Sequence, residues 1–266
     1  MALVPFPKAV PSQEPEDDDR PEEIDESGKM SFLEHLDELR KRLINSVIAI
    51  AVGCVIAFIF LERVFDFITL PMRQMLPPGG HLVQTAPSEF FMLYLKVGAL
   101  VGLLIALPAV MFQLWLFIAP GLYAHEKKLA IPFVAMSSLL FMTGAAFSHF
   151  VAFPWTWKFF MDFMPGYIVP MIRLGEAFPL YVKMLLGFGA IFQLPTIVFF
   201  LARMGVITAG FLIRHTKYAV LIIFILGAVL SPGGDIISQS LMAGPMLILY
   251  ALSIGIAWAV QKRRSA

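Results

Sequence analysis

An acid set among bases is the most informative arrangement in this sequence, and it occurs twice. Glu38 lies in the run Glu34-His35-Leu36-Asp37-Glu38-Leu39-Arg40-Lys41-Arg42. Glu126 follows Ala119-Pro120-Gly121-Leu122-Tyr123-Ala124-His125 and precedes Lys127-Lys128. Such a carboxylate either pairs within its own chain or receives a cation from elsewhere. On a helix Glu38 reaches Arg42 and Asp37 reaches Lys41 at i, i+4, each pair contributing roughly 0.2–0.5 kcal/mol. A solvated pair of Glu126 with a nearby lysine contributes at most about 1 kcal/mol. Covalent and metal chemistry find no comparable pattern. His125-Glu126 lacks the second histidine of a zinc-protease helix, and neither a Gly-x-Ser-x-Gly elbow nor a phosphate-binding glycine loop occurs. The single cysteine, Cys54, excludes an intramolecular disulfide and sits in an apolar run where packing explains it. The expectation is therefore no enzyme, no cofactor and no metal site.

Two further polar places interrupt apolar sequence. Ser231-Pro232-Gly233-Gly234-Asp235 makes a turn and is followed by Ser238, Gln239 and Ser240. Polar groups at the end of a short membrane hairpin must be solvated or bound by a partner; the alternative is a wet turn in which Asp235 or Ser238 caps the next helix. Gln193 stands two residues before Pro195 in the middle of an apolar run. It either satisfies backbone freed by a proline kink or bonds a neighbouring helix, typically for about 0.6 kcal/mol. A charge there would mark an ion path, and glutamine carries none.

The elements that must position these residues are membrane helices. Of 266 residues 59% are hydrophobic and 15% charged, with a mean hydropathy of +0.79, whereas soluble domains average about half apolar and about a quarter charged. A bilayer core of about 30 Å needs about 20 apolar residues of helix. Six segments approach that: 43–61, 91–118, 129–153, 178–202, 218–230 and 241–260. The fifth covers only about 20 Å at 1.5 Å per residue, a mismatch relieved by local thinning of the bilayer or by binding another helix. Eleven Lys and Arg in one set of flanks against four in the other predict both termini in the cytosol. Residues 1–29 hold nine acidic and three basic residues and read as a disordered acidic cytosolic tail without a processing signal, ahead of a membrane domain over 30–266. Two loops, 62–89 and 154–177, carry aromatics such as Phe65, Phe67, Trp155 and Trp157 and are expected on the outer surface.

Within this frame Ser31 to Glu34 reads as a capping box. Phe32, Leu36, Leu39 and Leu43 then share one helical face in the interface, while Glu38 lies about 140° away at 100° per residue, turned from lipid. An internal echo at an offset of 87 repeats Glu89, Phe91, Leu93, Tyr94, Lys96, Gly102, Leu107 and Pro108 as Glu176, Phe178, Leu180, Tyr181, Lys183, Gly189, Leu194 and Pro195. It reads either as a parallel repeat of a transporter kind or as two helices that independently needed a snorkelling lysine, an interfacial tyrosine and a kink. A secondary transporter or channel with kinked helices is the alternative function this suggests.

The runs around Glu38 and Glu126, together with Gln113-Leu114-Trp115-Leu116-Phe117-Ile118-Ala119-Pro120-Gly121-Leu122, resemble TatC, the multispanning receptor subunit of the twin-arginine protein translocase. The likeness continues through Phe150-Val151-Ala152-Phe153-Pro154 and through Ser238-Gln239 with Pro245-Met246. The resemblance implies an all-α membrane protein of six transmembrane helices, cupped like a hand, with both termini cytosolic, in a bacterial inner membrane. It implies binding of twin-arginine signal peptides and assembly with TatA-like and TatB-like single-span partners. Folded proteins would then be moved by the proton-motive force, with self-association in the receptor complex and no nucleic acid among the partners. By motif match, Glu38 and Glu126 take the places of the acids that face the arginines, and Arg40 that of a neighbouring base. Phe117 and Pro71 match further positions the family uses. Ser231, Asp235 and Gln239 match the region linked to partner-helix docking. Gln193 departs from the family, which often has a glutamate there, so a role that needs ionisation would be lost and a hydrogen-bonding role would survive. A guanidinium presents a planar fork to a carboxylate, so each of two acids from separate segments can accept one arginine, and lysine serves less well.

Overall fold

A computed structural model describes residues 32–74, 76, 81–84, 86–118, 130–165, 167–168 and 171–264. The acidic tail and Glu126 lie outside the described residues. The first long helix, α1 (Phe32–Ile59), leads directly into an amphipathic helix, α2 (Leu61–Gln74). A two-residue strand, β1 (Leu82–Val83), precedes α3 (Pro87–Ile118). After α4 (Ala130–Phe147) come a π-helical turn (Ser148–Ala152) and α5 (Phe153–Asp162). The strand β2 (Ile172–Arg173) precedes α6 (Leu174–Ile191) and α7 (Leu194–Met204). A short α8 (Ala209–Arg214), α9 (Thr216–Leu230) and α10 (Ile236–Arg264) complete the described chain.

Among the described residues, five stretches are long and apolar enough to cross a membrane: Leu33–Ile59, Pro87–Phe117, Ile131–Asp162, Leu174–Met204 and Ile236–Gln261. The sixth predicted segment is helical but short, 15 residues in α9, or about 22 Å.

The outer loops hold more helix than their sequence suggests. The third span runs on past Pro154 as α5, because the preceding turn is π-helical, with the Phe153 N–H donating to the Ser148 carbonyl. A wide turn shifts the bonding pattern by one residue, which makes room for a residue without an N–H. The fourth span breaks at Gln193, where a tight turn closes α6 and Pro195 stands in the first turn of α7. Proline at that position loses nothing, since its N–H would be an orphan of the helix start. Pro108 lies inside α3 without splitting it.

The internal echo has a structural counterpart. Strands β1 and β2 pair in parallel, Leu82 with Ile172 and Val83 with Arg173, and each leads into a long helix. The echoed acids Glu89 and Glu176 converge on Arg173, at 3.2 Å and 2.7 Å from its guanidinium nitrogens. Beyond that clasp the two units differ. Tyr181 is fully buried and shares a 2.8 Å hydrogen bond with His149 of the π turn, whereas Tyr94 packs tilted against Phe65 and stacked on Phe90.

Helix α6 forms the centre of the core through Phe178, Tyr181, Met184, Leu185 and Phe188, against Leu93, Val97 and Leu100 of α3 and Met242, Ala243 and Met246 of α10. Helix α1 leans on α3 alone for most of its length. Its contact face is made of small residues at four-residue spacing, with Gly53 and Ala57 facing Gly98, Gly102 and Ala106. Between membrane helices no water is expelled, so close backbone approach and the van der Waals contact it permits do the holding. Val47, Ile48, Val52, Val55 and Ile59 of α1 stay exposed, as a lipid-facing side requires.

Candidate functional site

The first turns of α1 behave as their periodicity predicts. Leu36, Leu39 and Leu43 are exposed, while Glu38 and Arg42 turn toward the protein, with side chains 14% and 22% accessible. Glu38 Oε1 accepts a hydrogen bond from Arg42 Nη2 at 3.1 Å. Among the described residues the pair is half made: Glu38 Oε2 and Arg42 Nε are both buried without a hydrogen-bond partner. A buried carboxylate oxygen with no donor costs about 1–3 kcal/mol or more. That oxygen can accept a further N–H donor. Asp37 and Lys41, the other predicted pair, are both exposed and make no ion pair among the described residues.

The end of α3 completes this corner. The His35 ring stacks on Phe117 with centroids 4.5 Å apart and planes inclined by 21°. Two turns of sequence that are 82 positions apart thus meet at one end of the bundle. On the other side of the last turns of α3, Trp115 is 1% exposed and packs on Phe133 at 4.4 Å and Phe200 at 5.0 Å, which fixes this end of the helix against α4 and α7. Arg40 is exposed on α1 beside this corner. The segment that carries Glu126 follows α3 directly and lies outside the described residues. The aromatic contact of His35 and the embrace of Glu38 by Arg42 belong to the site as much as the residues singled out by motif. Only the i, i+4 spacing signalled the second of them.

The remaining predicted residues fall elsewhere. Gln193 donates from Nε2 to the Ser137 carbonyl of α4 at 2.8 Å, so it joins helices rather than mending its own kink. Pro71 is buried inside α2, at the opposite end of the bundle. At that end Asp235 caps α10: its Oδ2 accepts from the Ser238 N–H at 2.8 Å and its Oδ1 from the Ser238 hydroxyl at 2.6 Å. With the Ser238 proton so engaged, the buried Ser231 hydroxyl donates to Ser238 Oγ at 2.5 Å. Gln239 Nε2 reaches across to the Phe224 carbonyl of α9 at 2.7 Å. Gly234, at φ +64°, supplies the left-handed residue that the turn before Asp235 needs.

The Ser238 hydroxyl and N–H hold the Asp235 carboxyl below its ordinary value of 3.8. A depressed acid contributes stability that is present above that value and lost as pH falls through the lower one. The hairpin of α9 and α10 is accordingly expected to keep its cap unchanged from pH 7 to about 5 and to loosen only in stronger acid. Asp235→Ala should lower the thermal unfolding midpoint at pH 7 and remove the acid transition; Asp235→Asn, still a good cap, should keep most of the stability. Circular dichroism melts across pH read both.

Known proteins resemble the chain over most of its length. Residues 34–245 match the model of the family described as Sec-independent protein translocase protein (TatC). The chain is 42% identical over 229 residues to the TatC protein of Desulforapulum autotrophicum, covering 86% of this chain and 84% of that one. It is 39% identical over 245 residues to that of Koribacter versatilis, covering 89% and 90%. A crystal structure of the twin-arginine translocase receptor TatC superimposes with a TM-score of 0.74 at 36% identity, covering 85% of this chain and 99% of that one.

Proposed function

The chain belongs to the TatC family of Sec-independent protein translocase proteins, a multi-pass membrane component of the bacterial translocase and not an enzyme, and on that premise we propose that its Glu38 corner receives twin-arginine signal peptides. In this reading Glu38 accepts one guanidinium and Glu126 the other, Arg40 limits which neighbours the peptide can carry, and Phe117 gives the peptide an aromatic wall. The corner faces the cytosol, with both termini and the acidic residues 1–29 on that side and six helices crossing the bilayer in a cupped arrangement. TatA-like and TatB-like single-span helices dock at the opposite end, where Ser231, Asp235 and Gln239 stiffen the α9–α10 hairpin and Pro71 seats α2. Copies of the chain associate in the receptor complex, and the proton-motive force drives passage of the folded cargo.

The observation that supports this reading is the carboxylate oxygen of Glu38, buried and without a donor among the described residues. An incoming arginine supplies two parallel N–H groups, one more than Arg42 gives. Gln193, engaged with Ser137, offers hydrogen bonding and no ionisable step, so the coupling to protons is assigned to other groups. A photo-crosslinker beside the arginines of a precursor signal tests the reading in native membranes. Crosslinks to this chain should fall at least about tenfold in the Glu38→Ala, Glu126→Ala double variant, by the loss of two charge-assisted contacts. Undiminished crosslinking overturns the assignment.

A further inference from the structure

A groove of about 460 Å³ runs along α10 at the Glu38 end of the bundle, between α10, α4 and α7. Leu140 of α4, Phe199 of α7 and Leu252 and Ile256 of α10 give it apolar walls, and Arg203 stands at its mouth. From Pro195 to Arg203 it follows α7 for about 12 Å, most of the depth of one leaflet in a hydrocarbon layer about 30 Å thick. An apolar groove between membrane-spanning helices opens onto lipid, so the occupant of matching chemistry is a hydrocarbon chain.

Apolar walls cannot select one lipid from another, because the chain leaves surroundings as oily as those it enters. The selecting group is Arg203. It lies in the last turn of α7, exposed, and makes no ion pair among the described residues. The acids described at this end of the bundle, Glu34, Asp37 and Glu38, all belong to α1, and Glu38 is turned to Arg42. An arginine at headgroup depth above an open acyl groove has the chemistry of a phosphate receptor, since its planar fork matches two phosphate oxygens.

We propose that this groove is a binding site for one anionic phospholipid, with an acyl chain between α4, α7 and α10 and the phosphate on Arg203. The site is independent of signal-peptide binding: it shares no residue with the Glu38 corner. Occupied, it fills the gap beside the break between α6 and α7 and ties α10 to α4 through the lipid.

Native mass spectrometry of the full chain in detergent tests this, with phosphatidylglycerol and phosphatidylcholine of identical acyl chains titrated separately and inorganic phosphate as a third arm. One phosphatidylglycerol should be retained about tenfold more strongly than phosphatidylcholine, the magnitude of a charge-assisted contact. Arg203→Gln should bring the two lipids to parity, whereas Arg214→Gln, on neighbouring α8, should leave the preference intact. Leu252→Trp, which fills the groove, should weaken both lipids, and Ala259→Leu on the same wall serves if that variant fails to fold. Equal retention of the two lipids by the unaltered chain overturns the proposal. So does a preference that survives Arg203→Gln, or release of the phosphatidylglycerol by millimolar inorganic phosphate.

Discussion

Gly102→Val is expected to abolish the folded protein, giving aggregated or broadly eluting material in detergent where the unaltered chain is monodisperse. A Cβ at Gly102 would stand 2.5 Å from Cys54 Cα and 2.6 Å from Cys54 N, which are backbone atoms of α1 that cannot rotate aside. The reciprocal position is no more forgiving, since a Cβ at Gly53 would run into the Gly102 carbonyl oxygen. Relief requires the two helices to separate along their length, and α1 has little other support. Overpacking usually costs about 1–3 kcal/mol; here the contact that holds the pair together is itself forfeited, so more than about 3 kcal/mol is expected. Gly98→Ala makes a graded comparison. Its new methyl meets Phe58 at 2.7 Å, and that ring is exposed and free to turn, so a partial loss should result. Gly255→Ala, with nothing within 4 Å, should be neutral or more stable by up to about 1 kcal/mol. Thermal melts and size-exclusion profiles of the three variants check the order. If Gly102→Val folds as well as Gly255→Ala, α1 is not held by this crossing.

That crossing also marks where sequence reading stops. Ala49, Gly53 and Ala57, like Gly98, Gly102 and Ala106, recur every four residues and are visible as two smooth helix faces. Nothing in either string says that the faces meet each other, because partner choice between helices is a tertiary property. The apolar segments and the outward face of Leu36, Leu39 and Leu43 were readable, since length and a 100° step depend only on local geometry. The same local logic offers Asp235 or Ser238 as a cap of the last helix, and the structure selects Asp235, whose carboxylate accepts from the Ser238 N–H three positions on. Proline was a poorer guide. Pro195 follows a break in the fourth span, Pro108 leaves α3 continuous and Pro154 follows a π turn inside a continuing helix, whereas the sequence reads the first two alike as kinks and the third as the start of a loop. A kink depends on what satisfies the freed carbonyl, and that is decided by neighbours the string does not name. Gln193 shows the same limit. Its two readings, kink repair and helix joining, were separated only by the position of Ser137 on α4. At the Glu38 corner the spacing forecast Arg42, but the stacking of His35 on Phe117 required knowing that α1 and α3 end together.

Glu38→Ala is expected to weaken binding of a twin-arginine signal peptide about 10- to 100-fold, while binding of the matching twin-lysine peptide changes little. The argument begins from the half-made pair with Arg42. Glu38 offers one oxygen to Arg42 Nη2 and keeps the other without a donor among the described residues. A guanidinium that reaches the second oxygen gains a charge-assisted bond of about 1.5–3 kcal/mol, which is the stated range in affinity. Lysine brings a point charge that remains strongly hydrated, so it gains less from the same oxygen. The two substitutions, one in the receptor and one in the peptide, should therefore be non-additive: once Glu38 is alanine, exchanging arginines for lysines costs little more. A second reading of Glu38 makes the opposite forecast. If its task is only to hold Arg42 in place, Glu38→Ala and Arg42→Ala should have the same effect, and each should weaken both peptides by an equal factor. Titration calorimetry with the two peptides and the three forms of the chain separates these outcomes. Equal losses for both peptides would remove Glu38 from direct contact with the signal, because a carboxylate that touches a guanidinium must distinguish it from an ammonium.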